Sequence, residues 1–187
     1  MQLPSVGLLG ICYGLSEVLL GVFKRSGTAS QATDRSSLRV LWAVILASIA
    51  LAVLAASRLP RFGSALLASG YALGVLVFLA GLGLRWYAII YLGRFFTVDV
   101  AIAEDHRVVD SGPYRLVRHP SYTGALMAFL GIGICLGNWV SLAVATLPIA
   151  VAFMWRIHVE EAALAGALGE RYAEYARRTK RLLPWVY

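Results

Sequence analysis

Four apolar stretches, residues 3–23, 38–57, 64–84 and 139–157, limit what this chain can fold into, because each approaches the ~20 residues a helix needs to cross a bilayer. A fifth, 121–137, is shorter and rich in glycine, yet at about 1.5 Å per residue its roughly 25 Å nearly spans a hydrocarbon core of about 30 Å. Composition agrees: 59% of the 187 residues are hydrophobic and 14% are charged, whereas a soluble domain carries about a quarter. The chain reads as an all-α, polytopic membrane protein with about five transmembrane helices. Gly137-Asn138 breaks the fourth span from the fifth, so these two form a tight helical hairpin. With no repeat or linker, residues 1–187 read as a single domain, three spans within 1–84 followed by a polar-bearing region over 85–187.

The first 23 residues carry no basic residue, and Lys24 and Arg25 follow the apolar run, the reverse of a cleaved signal peptide; a retained span is expected. With five spans, fifteen of the seventeen Lys and Arg residues fall on one side, which the positive-inside rule makes the cytosol. Residues 118–119 and the 156–161 cluster then share the cytosolic face, which in a bacterium is that of the inner membrane. The net charge of +7 is thus spent on orientation, and nucleic-acid binding is not expected. Cys12 and Cys135 lie inside apolar runs and read as packing residues. His106, His119 and His158 show no ligand spacing, so no metal is expected.

Residues 85–120 mix aromatic with charged side chains and are expected to lie on the membrane surface. In the last 30 residues Glu161, Leu164, Leu168, Tyr172 and Tyr175 recur at spacings of three and four, the pattern of a cytosolic amphipathic helix with these on one face. Arg171, Arg177 and Arg178 lie largely off that stripe, where anionic headgroups would meet them.

Two polar clusters stand out. Arg118-His119-Pro120 opens the fourth span, with Tyr114 and Tyr122 on either side. Proline suits the first turn of a helix, and an interfacial Arg-His pair can simply face headgroups. The same geometry also makes a carboxylate receptor, since a helix N-terminus offers unpaired N–H groups and Arg118 adds a bidentate fork. The second cluster, Arg156, Glu160 and Glu161, lies at the far end of the fifth span. Arg156 and Glu160 are one turn apart, where a surface pair is worth ~0.5 kcal/mol or less. Adjacent glutamates diverge by about 100° around a helix, and the apolar stripe marks Glu161 as the inward one. Glu17 sits within the first span, where it either lines a lipid-entry crevice or pairs with a loop arginine. Gly70-x-x-x-Gly74 and the glycines at 131, 133 and 137 read as close helix contacts.

From about Leu92 to Tyr187, the order of SGPYRLVRHPSYTG, the LGNW turn and RIHVEEAALAGALGERYAEYARRTKRLLPWVY resembles the isoprenylcysteine carboxyl methyltransferase family, within the integral-membrane methyltransferases that include phospholipid methyltransferases. The resemblance implies an S-adenosylmethionine-dependent membrane methyltransferase, with a lipophilic or prenylated substrate entering laterally from the lipid. It implies cofactor-site positions at His119, Tyr122, Glu160, Glu161, Tyr172 and Tyr175, arginines beside the reacting carboxylate at Arg118 and Arg156, and substrate-side positions at Asn138 and Tyr114. A carboxylate is already nucleophilic at neutral pH, so methyl ester formation needs alignment more than a general base.

Three other readings stay open: a lipid-amine methyltransferase, an NADPH-dependent sterol-type reductase, and a non-enzymatic lipid-binding protein. The reductase group shares an Arg-His-Pro-like motif, but no Asn-Tyr-x-Gly-Glu continuation follows here. A scaffold would leave the intramembrane charges without a use. The natural acceptor and the oligomeric state are not encoded in a legible way. The topology is testable directly: reporter fusions after Tyr187 and within 58–63 should report opposite sides of the membrane, and the same side for both would remove the five-span arrangement.

Overall fold

The computed structural model describes residues 3–23, 32–62, 64–96 and 107–187, with all their side chains except those of 32–35 and 64–68. Its helices are α1 (Val6–Phe23), α2 (Ala32–Arg58), α3 (Ser64–Leu92), α4 (Pro120–Cys135), α5 (Trp139–Leu168) and α6 (Glu170–Arg178), with 3-10 turns at Gly93–Phe95 and Gly112–Arg115. No strand occurs among the described residues, apart from an isolated parallel bridge between Val117 and Lys180. Four helices, α1, α2, α3 and α5, are long and apolar enough to cross a membrane, and α4 is a shorter apolar helix of 16 residues.

The loop after α2 and the α4–α5 turn meet at one end of the bundle. Phe62 N–H donates to Gly137 O over 2.7 Å, and the Phe62 ring meets Trp139 edge-on at 5.0 Å. Gly137 takes φ +78°, a conformation that suits glycine, and Asn138 then caps α5 by accepting the Ser141 N–H at 2.8 Å. The start of α4, the end of α5 and all of α6 lie at the opposite end, as the alternation of basic residues requires.

α3 and α4 pack backbone against backbone. Glycines seven residues apart on each helix, Gly74 and Gly81 on α3 with Gly131 and Gly124 on α4, meet in antiparallel pairs. A Cβ on Gly131 would lie 2.5 Å from Gly74 O and Phe78 N, and one on Gly124 would lie 2.5 Å from Gly81 O and Arg85 N. Close approach of this kind supplies dispersion contact where the lipid offers no hydrophobic drive. Of the expected contact glycines, Gly74, Gly131 and Gly133 have close neighbours, whereas Gly70 has none among the described residues. Cys135 is buried against this interface, but Cys12 is exposed on α1, facing outward rather than into the packing.

Two elements differ from the sequence expectation. α3 does not stop at residue 84 but runs to Leu92, so Arg85, Trp86 and Tyr87 are helical, not part of a surface loop. The charge of Arg85 does not expel it, because Glu17 of α1 neutralises it, and Gly93 at φ +62° supplies the stop. Of the expected surface segment, Asp99, Glu104, Asp105 and His106 lie outside the described residues. The amphipathic stripe of the last 30 residues is likewise two helices: α5 ends at Leu168, Gly169 turns at φ +54°, and α6 buries Tyr172 and Tyr175.

Alanine at Gly131 should push α3 and α4 apart and cost about 1–3 kcal/mol. Alanine at Gly83, which has nothing within 4 Å of its Cβ position among the described residues, should be neutral or stabilising by up to about 1 kcal/mol. Thermal unfolding of the two variants in detergent measures the difference; equal melting temperatures would contradict the interface.

Candidate functional site

The polar end of the bundle is assembled around the Glu161 carboxylate. Its Oε1 accepts Arg118 Nε–H at 2.7 Å and lies 3.3 Å from His119 Nε2; its Oε2 accepts Arg181 Nε–H at 2.9 Å and lies 2.8 Å from Arg181 Nη2. Arg118 also donates from Nη1 to Ala176 O at 3.0 Å and to Thr179 O. The segment after α6 is stitched along the loop entering α4: Arg118 N–H donates to Lys180 O at 2.7 Å, His119 N–H to Arg181 O at 3.0 Å, and Thr123 Oγ1 to Leu182 O at 2.8 Å. Three chain segments are thereby fixed to one carboxylate.

Glu160, about 100° around the helix from Glu161, has a different environment. It accepts the Tyr122 hydroxyl at 2.9 Å, and its other oxygen lies 3.9 Å from His119 Nδ1. Its side chain is 29% exposed against 12% for Glu161, which leaves it room to take a ligand. His119 stacks on Tyr122 at 5.6 Å, and Tyr122 packs on Phe153 at 5.0 Å, so Pro120 at the first turn of α4 leads straight into an aromatic wall.

α6 contributes two tyrosines one turn apart with opposite circumstances. The Tyr175 hydroxyl donates to Tyr114 O at 2.7 Å, and Tyr114 in turn donates to Ala88 O at 3.2 Å. The Tyr172 hydroxyl is buried and has no hydrogen-bond partner among the described residues. Burial pushes all three phenols above their ordinary value, so they stand as neutral donors.

A cavity of about 130 Å³ joins these groups. His119, Tyr122, Glu160, Tyr172 and Tyr175 line it, together with Arg85, Arg156 and Glu17, and Leu38, Leu41, Trp42 and Ile45 of α2 add an apolar wall. Arg156 is 2% exposed and donates from Nη1 to Ser37 Oγ at 2.6 Å. Arg85 forms a bidentate pair with Glu17, Nε to Oε1 at 2.7 Å and Nη2 to Oε2 at 2.9 Å, and its Nη1 donates to Ser121 O at 3.2 Å.

Of the residues singled out in the sequence, Arg118, Arg156, His119, Tyr122, Glu160, Tyr172, Tyr175 and Tyr114 meet around this cavity. Glu161 points inward as the stripe indicates, but it stands behind the cavity wall with both oxygens engaged; Glu160 is the acid that lines the cavity. Arg118 touches the cavity, yet its Nε and Nη1 are committed to Glu161 and two carbonyls instead of forming an open fork. Asn138 is not brought here: it caps α5 at the other end of the hairpin, where the helix that follows it carries the acids away by some 30 Å at about 1.5 Å per residue. Two participants were missed. Run length alone puts Arg85 in the surface segment, although a charge inside an apolar helix is a functional signal once the helix is extended. Arg181 carries no local signal, because only the fold brings it to Glu161.

The donor set fits S-adenosylmethionine. The unpartnered Tyr172 hydroxyl and the Glu160 carboxylate offer polar anchors, and the faces of His119, Tyr122 and Tyr175 suit a sulfonium cation. Among the described residues no group of His, Cys, Asp or Glu is placed to hold a metal ion.

A bundle of four long apolar helices and one shorter one, with an amphiphilic cavity beside a braced Arg-His-Pro entry, defines a helical multi-pass membrane protein. Residues 72–166 match the model of the isoprenylcysteine carboxyl methyltransferase (ICMT) family, and the chain belongs to that family. It is 36% identical over 132 residues to the protein-S-isoprenylcysteine O-methyltransferase of Schizosaccharomyces pombe, covering 69% of this chain and 56% of that one. It is 38% identical over 113 residues to the cobalt-zinc-cadmium resistance protein CzcN of Cupriavidus metallidurans, covering 60% of this chain and 48% of that one. The solved structure of a eukaryotic intramembrane Ras methyltransferase ICMT superposes with a TM-score of 0.61 at 25% identity, over 85% of this chain and 55% of that one. The chain thus spans about half the length of these relatives.

The two tyrosines of α6 give a direct test of the site. Tyr175→Phe removes a satisfied buried donor and should lower stability by about 1 kcal/mol, whereas Tyr172→Phe should leave it unchanged or raise it. Melting temperatures of the ligand-free protein check this, and S-adenosylmethionine affinity should fall in Tyr172→Phe.

Proposed function

We propose that this protein transfers a methyl group from S-adenosylmethionine to the carboxylate of a lipophilic, isoprenylcysteine-like acceptor at the cytosolic face of the membrane. The observation that carries the reading is a cavity in which a polar aromatic end, the buried arginines Arg85 and Arg156 and an apolar wall of α2 meet. Glu160 and Tyr172 would hold the cofactor by its polar groups. Bound there, S-adenosylmethionine would supply an electrophilic methyl group and leave as a neutral thioether, so that methyl ester formation needs no proton moved.

The protein's contribution is alignment and exclusion of water. Arg156 is fully buried on α5, one turn before Glu160, which places a guanidinium beside the acid that faces the cofactor. There it orients the acceptor carboxylate. Leu38, Leu41, Trp42 and Ile45 receive the lipid tail, so the head and tail of an amphiphile are read by different walls of one cavity. A lipid-amine acceptor would draw its recognition from Glu160 and the aromatic rings instead of the arginines, which makes arginine replacement the discriminating experiment.

Arg156→Lys keeps the charge but loses the planar fork, so cofactor binding should persist while turnover on S-farnesylcysteine analogues falls at least tenfold, a barrier increase of about 1.4 kcal/mol. A lipid amine tested in parallel should accept no methyl group. Transfer to the amine alone, or wild-type turnover in Arg156→Lys, would overturn the carboxylate assignment; absence of S-adenosylmethionine binding by calorimetry would overturn the methyltransferase.

A further inference from the structure

Methyl transfer to a carboxylate needs no second acid, yet α1 places Glu17 in the same cavity as the arginines. An ionised acid within a span is costly, and here the cost is met by the two-pronged contact with Arg85, whose side chain is 8% exposed beside the 9% exposed Glu17. The contact is the geometry in which a guanidinium takes any carboxylate, both oxygens facing two N–H groups. Glu17 therefore occupies at Arg85 the place a carboxylate takes, so an acceptor oriented by Arg156 engages this second guanidinium of the cavity only by displacing Glu17. It is not needed simply to attach α1 to α3, since Trp86 Nε1–H donates to Ser16 Oγ at 2.8 Å and the Tyr71 hydroxyl to Pro4 O at 2.6 Å. α1 is also lightly held, with only Leu9, Tyr13, Ser16 and Leu20 buried along its 18 residues, so Glu17 is on an element able to yield.

We infer that Glu17 is an internal competitor for the acceptor carboxylate, holding Arg85 in receiving geometry and conceding it only to acceptors whose lipid tail fills the apolar wall of the cavity. This rests on the carboxylate reading of the reaction. A short carboxylate offers Arg85 nothing beyond what Glu17 already supplies, and Glu17 is tethered, which gives it a high effective concentration. A long-chain acceptor adds burial against Leu38, Leu41, Trp42 and Ile45, and that added burial drives the exchange. Glu17 is thus a specificity residue that rejects the small carboxylates of the cytosol in favour of lipids.

The test compares the detergent-solubilised full chain with Glu17→Gln, using cysteine thioethers that carry farnesyl, geranyl or five-carbon prenyl chains. In Glu17→Gln the farnesyl-to-prenyl ratio of kcat/KM should drop at least tenfold, through gain on the short chain. Independently of turnover, millimolar acetate should raise the melting temperature of Glu17→Gln and leave the wild type unmoved, because the vacated guanidinium then accepts a free carboxylate. Glu17→Asp, which keeps the charge but shortens the reach, should shift the chain-length ratio in the same direction by less. An unchanged ratio in both variants, or a folded Glu17→Gln indifferent to acetate, would overturn the inference. So would loss of folding in both variants without rescue by acetate, which would make Glu17 purely structural. Failure of the wild type to methylate any of the three chains is a separate result that rejects the carboxylate reaction, and the acetate measurement still decides whether Arg85 exchanges carboxylates.

Discussion

One carboxylate, that of Glu161, holds the polar end of this bundle together. It bonds Arg118 and His119 from the loop entering α4 and Arg181 from the segment after α6, while itself belonging to α5. Removing one partner from a buried charge network leaves the others uncompensated, at a cost of about 3–5 kcal/mol. The backbone bridges between residues 117–119 and 180–181 reinforce the same tie, because they register two segments that lie outside the α-helices. The cavity wall is built on that registration.

The adjacent glutamates illustrate how a helix divides two tasks. A rotation of about 100° turns Glu161 into the seam between α5 and the flanking segments and turns Glu160 toward the cavity. Saturation of the first leaves the second to the cavity: Arg118 and Arg181 are occupied by Glu161, and Glu160 accepts the Tyr122 hydroxyl. The arginines divide in the same manner. Arg118 and Arg181 fasten chain segments, whereas Arg85 and Arg156 sit among the cavity's polar lining.

The apolar half of the molecule serves this arrangement through rigidity. The paired glycines bring α3 and α4 into backbone contact, with Arg85 N beside Gly124. Arg85 is thereby placed within reach of both Glu17 and the Ser121 carbonyl at the first turn of α4. A slightly wider helix separation would take it out of reach of one of them.

The amino-acid sequence alone determined the helical class, the spans, the hairpin at Gly137-Asn138 and the meeting of Arg118, His119 and Tyr122 with Arg156 and Glu160, because each is a matter of run length, periodicity or a local turn signal. Local signals also placed Tyr172 and Tyr175 on one face. What the tertiary structure decided was the partner of each charge. Whether Arg118 is an open fork or a fastener depends on Glu161 and two carbonyls, the nearest of them 43 residues away. Arg85 belongs to a helix and not to a loop because Glu17, 68 residues earlier, neutralises it. Asn138 reads as a site residue by its motif and is a helix cap by its place in space. Electrostatic pairing acts across distances in the chain that periodicity does not register, so the residue types of the site are legible in one dimension and their division of labour is not.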